Sequence, residues 1–316
     1  MSVEEWGAKQ GSIVADMAAR DQLAGLCGFR VVKVLYHKNA TKVSHVKHVP
    51  TGRAYAIKQY DRSAMTPPQL RRALDEVAVH LELSHPNILP LLGWWSDARY
   101  VYMLLELAQK GDLYKMLLTR DAAVGTGFKT PPHVVALILD QVARALEYLH
   151  AKSIIHRDIK PENVVFTKSY DLWVADFGLC IDASARRATS RVGTLDYLAP
   201  ELISASAAHD YDAKVDVWAL GVLAFELLTG RPPFSADTDV ETIRNIGHDD
   251  VFFPHYFRNE KIESFVRAAL QKNPADRPGL TEIREHAWLL YAKHKYCYEI
   301  DAVAYLKKCC SSLAKK

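Results

Sequence analysis

The hydrophobic period of this 316-residue chain changes near Gly111, and that change limits the fold more than any other feature. Before it, apolar residues alternate as in half-buried strands; after it, they recur three and four positions apart, as along helices. Val31–Tyr36, Val43–Val49 and Arg53–Lys58 read as three strands, with Pro50-Thr51-Gly52 turning between the last two. A helix follows. Thr66 is a fit N-cap, Pro67 suits the first helical position and Gln69 completes a capping box. Its apolar stripe is predicted as Leu70, Leu74, Val77 and Leu81, and His85-Pro86-Asn87 ends it. Leu89–Trp95 and Tyr100–Leu107 supply two more strands. Beyond the change, Pro132–Ala151 carries Val135, Ile138, Val142, Leu146 and Leu149 at helical spacing. Asp216–Thr229 is apolar nearly all round, which predicts a helix at the centre of its domain, ended by Gly230 and Pro232-Pro233. Segregated strands and helices of this kind define an α+β chain. Its expected parts are an N-terminal extension (1–28), a small antiparallel sheet lobe with one long helix (29–107), a larger mainly helical lobe (108–290) and a frayed tail (291–316).

Composition narrows the function. Hydrophobic residues make up 49% and charged residues 24%, ordinary for a globular protein, and a net charge of +3 gives no reason to expect a nucleic-acid partner. Apolar runs such as Val134–Leu139 fall far short of the roughly 20 residues that span a membrane, so no stable insertion is expected. The first residues include Glu4 and Glu5 and form no secretory signal. Five cysteines, an odd number without metal-ligand spacing, fit a reducing compartment, cytoplasmic or nuclear.

The chemistry concentrates in three ordered motifs: His156-Arg157-Asp158-Ile159-Lys160-Pro161-Glu162-Asn163, then Asp176-Phe177-Gly178, then Ala199-Pro200-Glu201. Between the first two, Val164–Phe166 and Leu172–Ala175 read as a hairpin, which returns Asp176 to the side of Asn163. Two oxygen ligands from such a pair suit Mg²⁺, which takes its remaining ligands from phosphates and water. In order and spacing the motifs resemble those of protein kinases. The resemblance implies a bilobal kinase fold that uses ATP and Mg to phosphorylate protein substrates, with Asn163 and Asp176 as the metal ligands. It implies that Asp158 accepts the substrate hydroxyl proton and that Lys160 offsets charge on the transferring phosphoryl group. Lysine two residues after Asp158, and Gly193-Thr194-Leu195-Asp196-Tyr197, are the serine/threonine pattern.

Lys58, in Tyr55-Ala56-Ile57-Lys58, matches the lysine that grips the ATP phosphates, and its helix partner is expected to be Glu76 rather than Glu82. By the same resemblance Val43, Ala56, Glu106, Ala108 and Val165 line the nucleotide, with Tyr36 in the loop over its phosphates. Arg157 implies activation by a phosphate on the segment Arg186-Arg187-Ala188-Thr189-Ser190-Arg191, where Thr189 fits the basic consensus and Ser190 the family position. Glu201 is expected to pair with Arg277, and Asp216 to bond the backbone of the 156–163 loop. His156 and Phe177 read as packing residues, Gly178 and Thr194 as parts of their motifs, and Cys180 as inert.

Within the kinases the chain is similar to the Auroras, through Gln69-Leu70-Arg71-Arg72, Leu83-Ser84-His85-Pro86-Asn87-Ile88-Leu89, Gly193–Glu201, Glu285-His286-Ala287-Trp288 and the polar His80. That similarity implies a basophilic enzyme, with Glu162 reading a basic residue upstream of the target. It also implies cytoskeletal association and an activator protein on the small lobe near Trp94-Trp95, two residues that core packing explains nearly as well. Two departures stand out. Leu179 replaces the tryptophan that Auroras carry after the metal motif. The three glycines of the phosphate loop are replaced by Tyr36, Lys38 and Thr41, a loss expected to weaken the clamp. The second departure supports an alternative reading, a pseudokinase scaffold. Lys307-Lys308-Cys309-Cys310 in the tail has no prenylation box.

Overall fold

A computed structural model describes residues 26, 28–118, 129–190, 192–203, 210–255, 257, 259–295 and 298–313. The chain divides into two compact units, Met1–Gln109 and Lys110–Lys316.

The first unit is a five-stranded antiparallel sheet with one helix. Strands β1 (Phe29–Lys38), β2 (Thr41–His48), β3 (Ala54–Asp61), β4 (Leu91–Ser96) and β5 (Tyr100–Glu106) lie in the order β1-β2-β3-β5-β4. β1 is longer than the periodicity predicts and runs through the positions of the missing glycines. Tyr36 faces Val43 and Lys38 faces Thr41, and the turn is closed by Asn39 at φ +50°, a conformation asparagine tolerates. β4 starts at Leu91 rather than at Leu89. Pro90 has no N–H to give a ladder, and its carbonyl accepts from Glu106 N–H instead.

One face of the sheet buries Phe29, Val46, Tyr55, Ile57, Trp95, Tyr102 and Leu104. Trp95 is stacked between Phe29 at 6.1 Å and Tyr102 at 5.1 Å, so it is a core residue, while Trp94 is half-buried. On the other face Tyr60, Val101 and Met103 pack with Ala73 and Val77 of α1 (Pro67–Leu81). Burying Val77 and Met103 contributes about 1.5–3 kcal/mol each. Helix α1 begins as expected, with the Thr66 N–H donating to Gln69 Oε1 at 2.8 Å. Its stripe needs correction: Leu74 is 41% exposed, and the buried face is Ala73, Glu76, Val77 and His80. Two polar residues face inward, so apolar periodicity put the stripe off by part of a turn.

The second unit is mainly helical. α2 (Leu113–Leu118) follows a two-residue strand β6 (Gly111–Asp112), and α3 (Pro132–Ala151) precedes the strand β7 (Ile154–Ile155). β8 (Val164–Phe166) and β9 (Leu172–Val174) form the expected hairpin, and β10 (Ile181–Asp182) pairs with β7. α4 (Pro200–Ile203) leads to α5 (Lys214–Thr229), whose residues from Val215 to Phe225 are all buried. Gly230 ends α5 in the left-handed region at φ +88°. α6 (Asp239–His248) and α7 (Glu260–Ala269) follow. α7 packs so closely on α5 that a Cβ on Gly221 would lie 2.8 Å from Ala269 Cβ.

After α8 (Leu280–Glu285) and α9 (Ala287–Lys295) the chain continues as α10 (Tyr298–Leu313). This corrects the reading of a frayed tail. Ala302, Leu306 and Cys309 recur on one helical face and are buried, α10 packs on α3, and the Tyr305 hydroxyl donates to Lys129 O at 3.3 Å. The Cys309 thiol belongs to this packing. Among the described residues no helix is long and apolar enough to cross a membrane.

Candidate active site

In the second unit, the β8–β9 hairpin gathers the motif residues. Val164 pairs with Val174, and the Ala175 N–H donates to Asn163 O at 2.8 Å, so the chain leaving β9 brings Asp176 back to Asn163, which precedes β8. Asn163 Nδ2 donates to Asp158 twice, to the carbonyl at 2.8 Å and to Oδ2 at 2.9 Å. Both amide hydrogens are thereby used, and Oδ1 is left as the acceptor for another group. Lys160 Nζ lies 2.8 Å from Asp158 Oδ2 and 2.8 Å from Thr194 Oγ1, and the Thr194 hydroxyl donates to Asp158 Oδ1 at 3.2 Å. Asp158, 7% exposed, is therefore held by three side chains from two loops.

The backbone here is strained. Arg157 and Asp176 have φ of +67° and +62°, where side chains other than glycine cost energy, about 1 kcal/mol or more each. Asp216, at the start of α5, holds the first of these in place. Its carboxylate accepts from the His156 N–H at 2.9 Å, the Arg157 N–H at 2.8 Å and His150 Nε2 at 2.8 Å. Burial pushes Asp216 up, but the hydrogen bond from His150 and that from the His156 backbone N–H outweigh it and hold the carboxyl below its usual range. His156 is wholly buried against the Phe177 ring, 5.3 Å between centroids. Its Nδ1 accepts from Asp158 N–H at 3.3 Å, so Nε2 carries the proton and donates to Ala175 O at 3.2 Å. Burial lowers its pKa, and the ring is a neutral spacer between the two loops.

Arg157 donates to Leu179 O at 2.6 Å, to the Tyr211 hydroxyl at 2.7 Å and to Ser190 Oγ at 3.2 Å. Thr189 and Ser190 are both exposed, and the contact of Arg157 is with Ser190. Gly178 N–H donates to Asp176 Oδ1 at 3.4 Å. Gly193, φ +119°, passes so close that a Cβ would meet Arg157 O at 2.9 Å. Behind the segment, Arg277 forks onto Glu201 with both oxygens at 2.7 Å and also donates to the carbonyls of Gln271, Lys214 and Lys272. An acidic group lies beyond Thr194. Tyr197 donates to Glu226, whose carboxyl is pushed up by burial and further by the charges of Glu162 and Asp196.

In the first unit, Lys58 Nζ is 2.8 Å from Glu76 Oε1, and both residues are buried. The Tyr60 hydroxyl donates to the other oxygen of Glu76. Glu82 is exposed and lies past the end of α1. Ala56 is buried beside Lys58, Val43 is half-buried opposite it, and Tyr36 is 51% exposed near the hairpin tip. Glu106 pairs with Arg53, and Ala108 is half-buried. Val165, in the second unit, is half-buried on β8.

Sequence reasoning missed Tyr60, His150, Tyr211 and Glu226, and took Tyr197 only as part of its motif, not as a donor to Glu226. Each acts through a partner distant along the chain, and no local spacing points to it.

Residues 34–289 match the family of protein kinase domains, and that is the class which this fold and these residues define. Aurora kinase A-B of Xenopus laevis is 42% identical over 222 residues, covering 70% of this chain and 51% of the relative. The Aurora kinase of Eremothecium gossypii is 34% identical over 266 residues, covering 84% of this chain and 70% of the relative. That of Debaryomyces hansenii is 36% identical over 266 residues, covering 83% and 62%. The chain belongs to the Aurora kinases. It spans about half the length of the Xenopus laevis relatives, 51% of each. Both resemblances read from the motifs therefore hold, as does the α+β class.

Proposed function

We propose that this chain is a serine/threonine protein kinase that transfers the γ-phosphate of ATP to protein hydroxyls. The observation that carries this reading is the clamp on Asp158 by Asn163, Lys160 and Thr194. A carboxylate so held accepts hydrogen bonds and little else, which suits a group that orients a substrate hydroxyl and takes its proton. Lys160 meets the charge that develops on the transferring group. Lys58, made rigid by Glu76, grips the α- and β-phosphates, and Ala56, Val43, Glu106 and Ala108 of the same unit line the base and sugar. Asn163 Oδ1 and the Asp176 carboxylate fit a hard divalent cation. Mg²⁺, when bound there, supplies charge that steadies the phosphate oxygens.

The acidic group Glu162, Asp196 and Glu226 supports a preference for basic residues near the target. Phosphate on Ser190 fits the Arg157 contact, with a dianion replacing a hydroxyl against a guanidinium. A protein activator on the first unit would rest on the half-buried Trp94, since Trp95 is core. A cytoplasmic or nuclear location belongs to the same reading.

The test is ATP turnover on a basic protein. Asp158→Asn should lower kcat by about 10²–10⁴, and Lys58→Met should abolish transfer as well. Wild-type protein that binds Mg-ATP and transfers nothing would establish a scaffold instead. Ser190→Ala should lower activity tenfold or more, measured after pre-incubation with ATP, whereas Thr189→Ala should leave it within twofold. The reverse pattern would move the regulatory site to Thr189.

A further inference from the structure

Lys58 and Tyr60 are two apart on β3, so their side chains lie on the same face of the sheet, the face covered by α1. Glu76 projects from α1 onto both. Its Oε1 takes the Lys58 ammonium at 2.8 Å and its Oε2 takes the Tyr60 hydroxyl. The Tyr60 ring is 5% exposed, wedged against Ala73, Val77, Val101 and Met103, and the ammonium lies 5.3 Å from its centroid. The ring therefore cannot swing away without opening the α1 packing, and its position sets where the hydroxyl points. Burial drives the phenol far above its usual range, so it remains a donor at any working pH.

A lone lysine–glutamate pair leaves one carboxylate oxygen to be satisfied by water or by a rotation of the side chain. Here that oxygen is bonded to the strand that carries the lysine. We infer that Tyr60 is a positioning residue for phosphotransfer, a latch that fastens Glu76 and its helix to β3 and so keeps Lys58 in its nucleotide-gripping pose. Nothing in the apolar periodicity or the motifs announces this role, because a tyrosine on a strand passes as ordinary core.

The inference rests on the proposed ATP-dependent transfer, and two readouts keep the readings apart. The first is nucleotide affinity of the full chain, measured by titration with Mg-ATP and independent of any transfer. The second is the split between KM for ATP and kcat. Tyr60→Phe keeps the ring and removes the bond, so its melting temperature should stay close to wild type. Its affinity for Mg-ATP should fall about tenfold, in line with loss of a hydrogen bond to a charged group. KM for ATP should rise to match, with kcat at saturating ATP within about twofold. The effect should vanish in a Glu76→Ala background, because the latch acts only through that side chain. Unchanged affinity and KM in Tyr60→Phe, or an equal loss in both backgrounds, would overturn the latch. Absence of transfer by wild type, with the affinity difference intact, would sink the kinase reading and leave the latch standing.

Discussion

Gly193 bears on the site through a single missing methyl group. Its φ of +119° is strained for any side chain, and a Cβ would press on Arg157 O at 2.9 Å, a backbone atom that cannot turn aside. Arg157 is itself at positive φ and is followed by Asp158, while Gly193 is followed by Thr194, which bonds that same Asp158. Gly193→Ala should therefore separate Thr194 from Asp158. We expect kcat to fall at least tenfold, with the melting temperature lowered by only a few degrees. Parallel steady-state kinetics and thermal unfolding check this. Leu198 Cδ2, the other neighbour at 3.0 Å, is the end of a flexible side chain and absorbs little of the effect.

Among the elements, the tie between α4 and the loop after Asp276 is the clearest case for energetics. Arg277 is 2% exposed, forks onto Glu201, caps three carbonyls and lies 5.1 Å from the Trp218 ring. Removing the guanidinium strands a carboxylate and several carbonyls with no donor. Arg277→Met should cost about 3–5 kcal/mol, read from urea unfolding. Glu201→Gln keeps the shape and some bonding, and should cost less. Motif order made this pair legible, along with the capping box of α1, the β8–β9 hairpin and the buried α5. What escaped was polar. Glu76 and His80 point into the core, so a search for apolar spacing chose Leu74, which is exposed. Helix α10 escaped for the opposite reason: Ala302, Leu306 and Cys309 make a stripe too small and mixed to stand out from a lysine-rich tail. Tyr60 and His150 escaped because their partners become neighbours only after folding.

Taken as one chain, the protein should lose stability in acid in two phases. His156 is buried and neutral, with its pKa held below 6.5. Below pH 6.5 the unfolded chain takes up a proton that the folded chain refuses, so stability is complete above that value and declines as pH falls beneath it. Asp216 and Glu147 follow. Their folded values are depressed, so their contribution is present above the ordinary carboxylate range and lost as pH drops through the folded values. Glu226, pushed up by burial, opposes this second phase. Unfolding free energies from urea titrations should be level near pH 7 and fall between pH 6.5 and 5, with His286, also held low by burial, adding to the proton that His156 refuses, at about 1.4 kcal/mol per pH unit for each. A flat profile would contradict the neutral, buried imidazole.

Strand β1 has one further bearing on how copies of this protein behave together. It borders the sheet, ten residues long, with Val31, Val32, Val34, Leu35 and Tyr36 each more than 40% exposed, a shape that invites another chain to add a strand. Two register shifts, between Val31 and Lys33 and between Val34 and Tyr36, break the straight run, and Arg30, Lys33 and Lys38 distribute positive charge along it. A glycine-rich flap would be too supple to template such stacking. The stiffer border found here deters self-association through kinks and like-charge repulsion, and that deterrence weakens as salt screens the lysines.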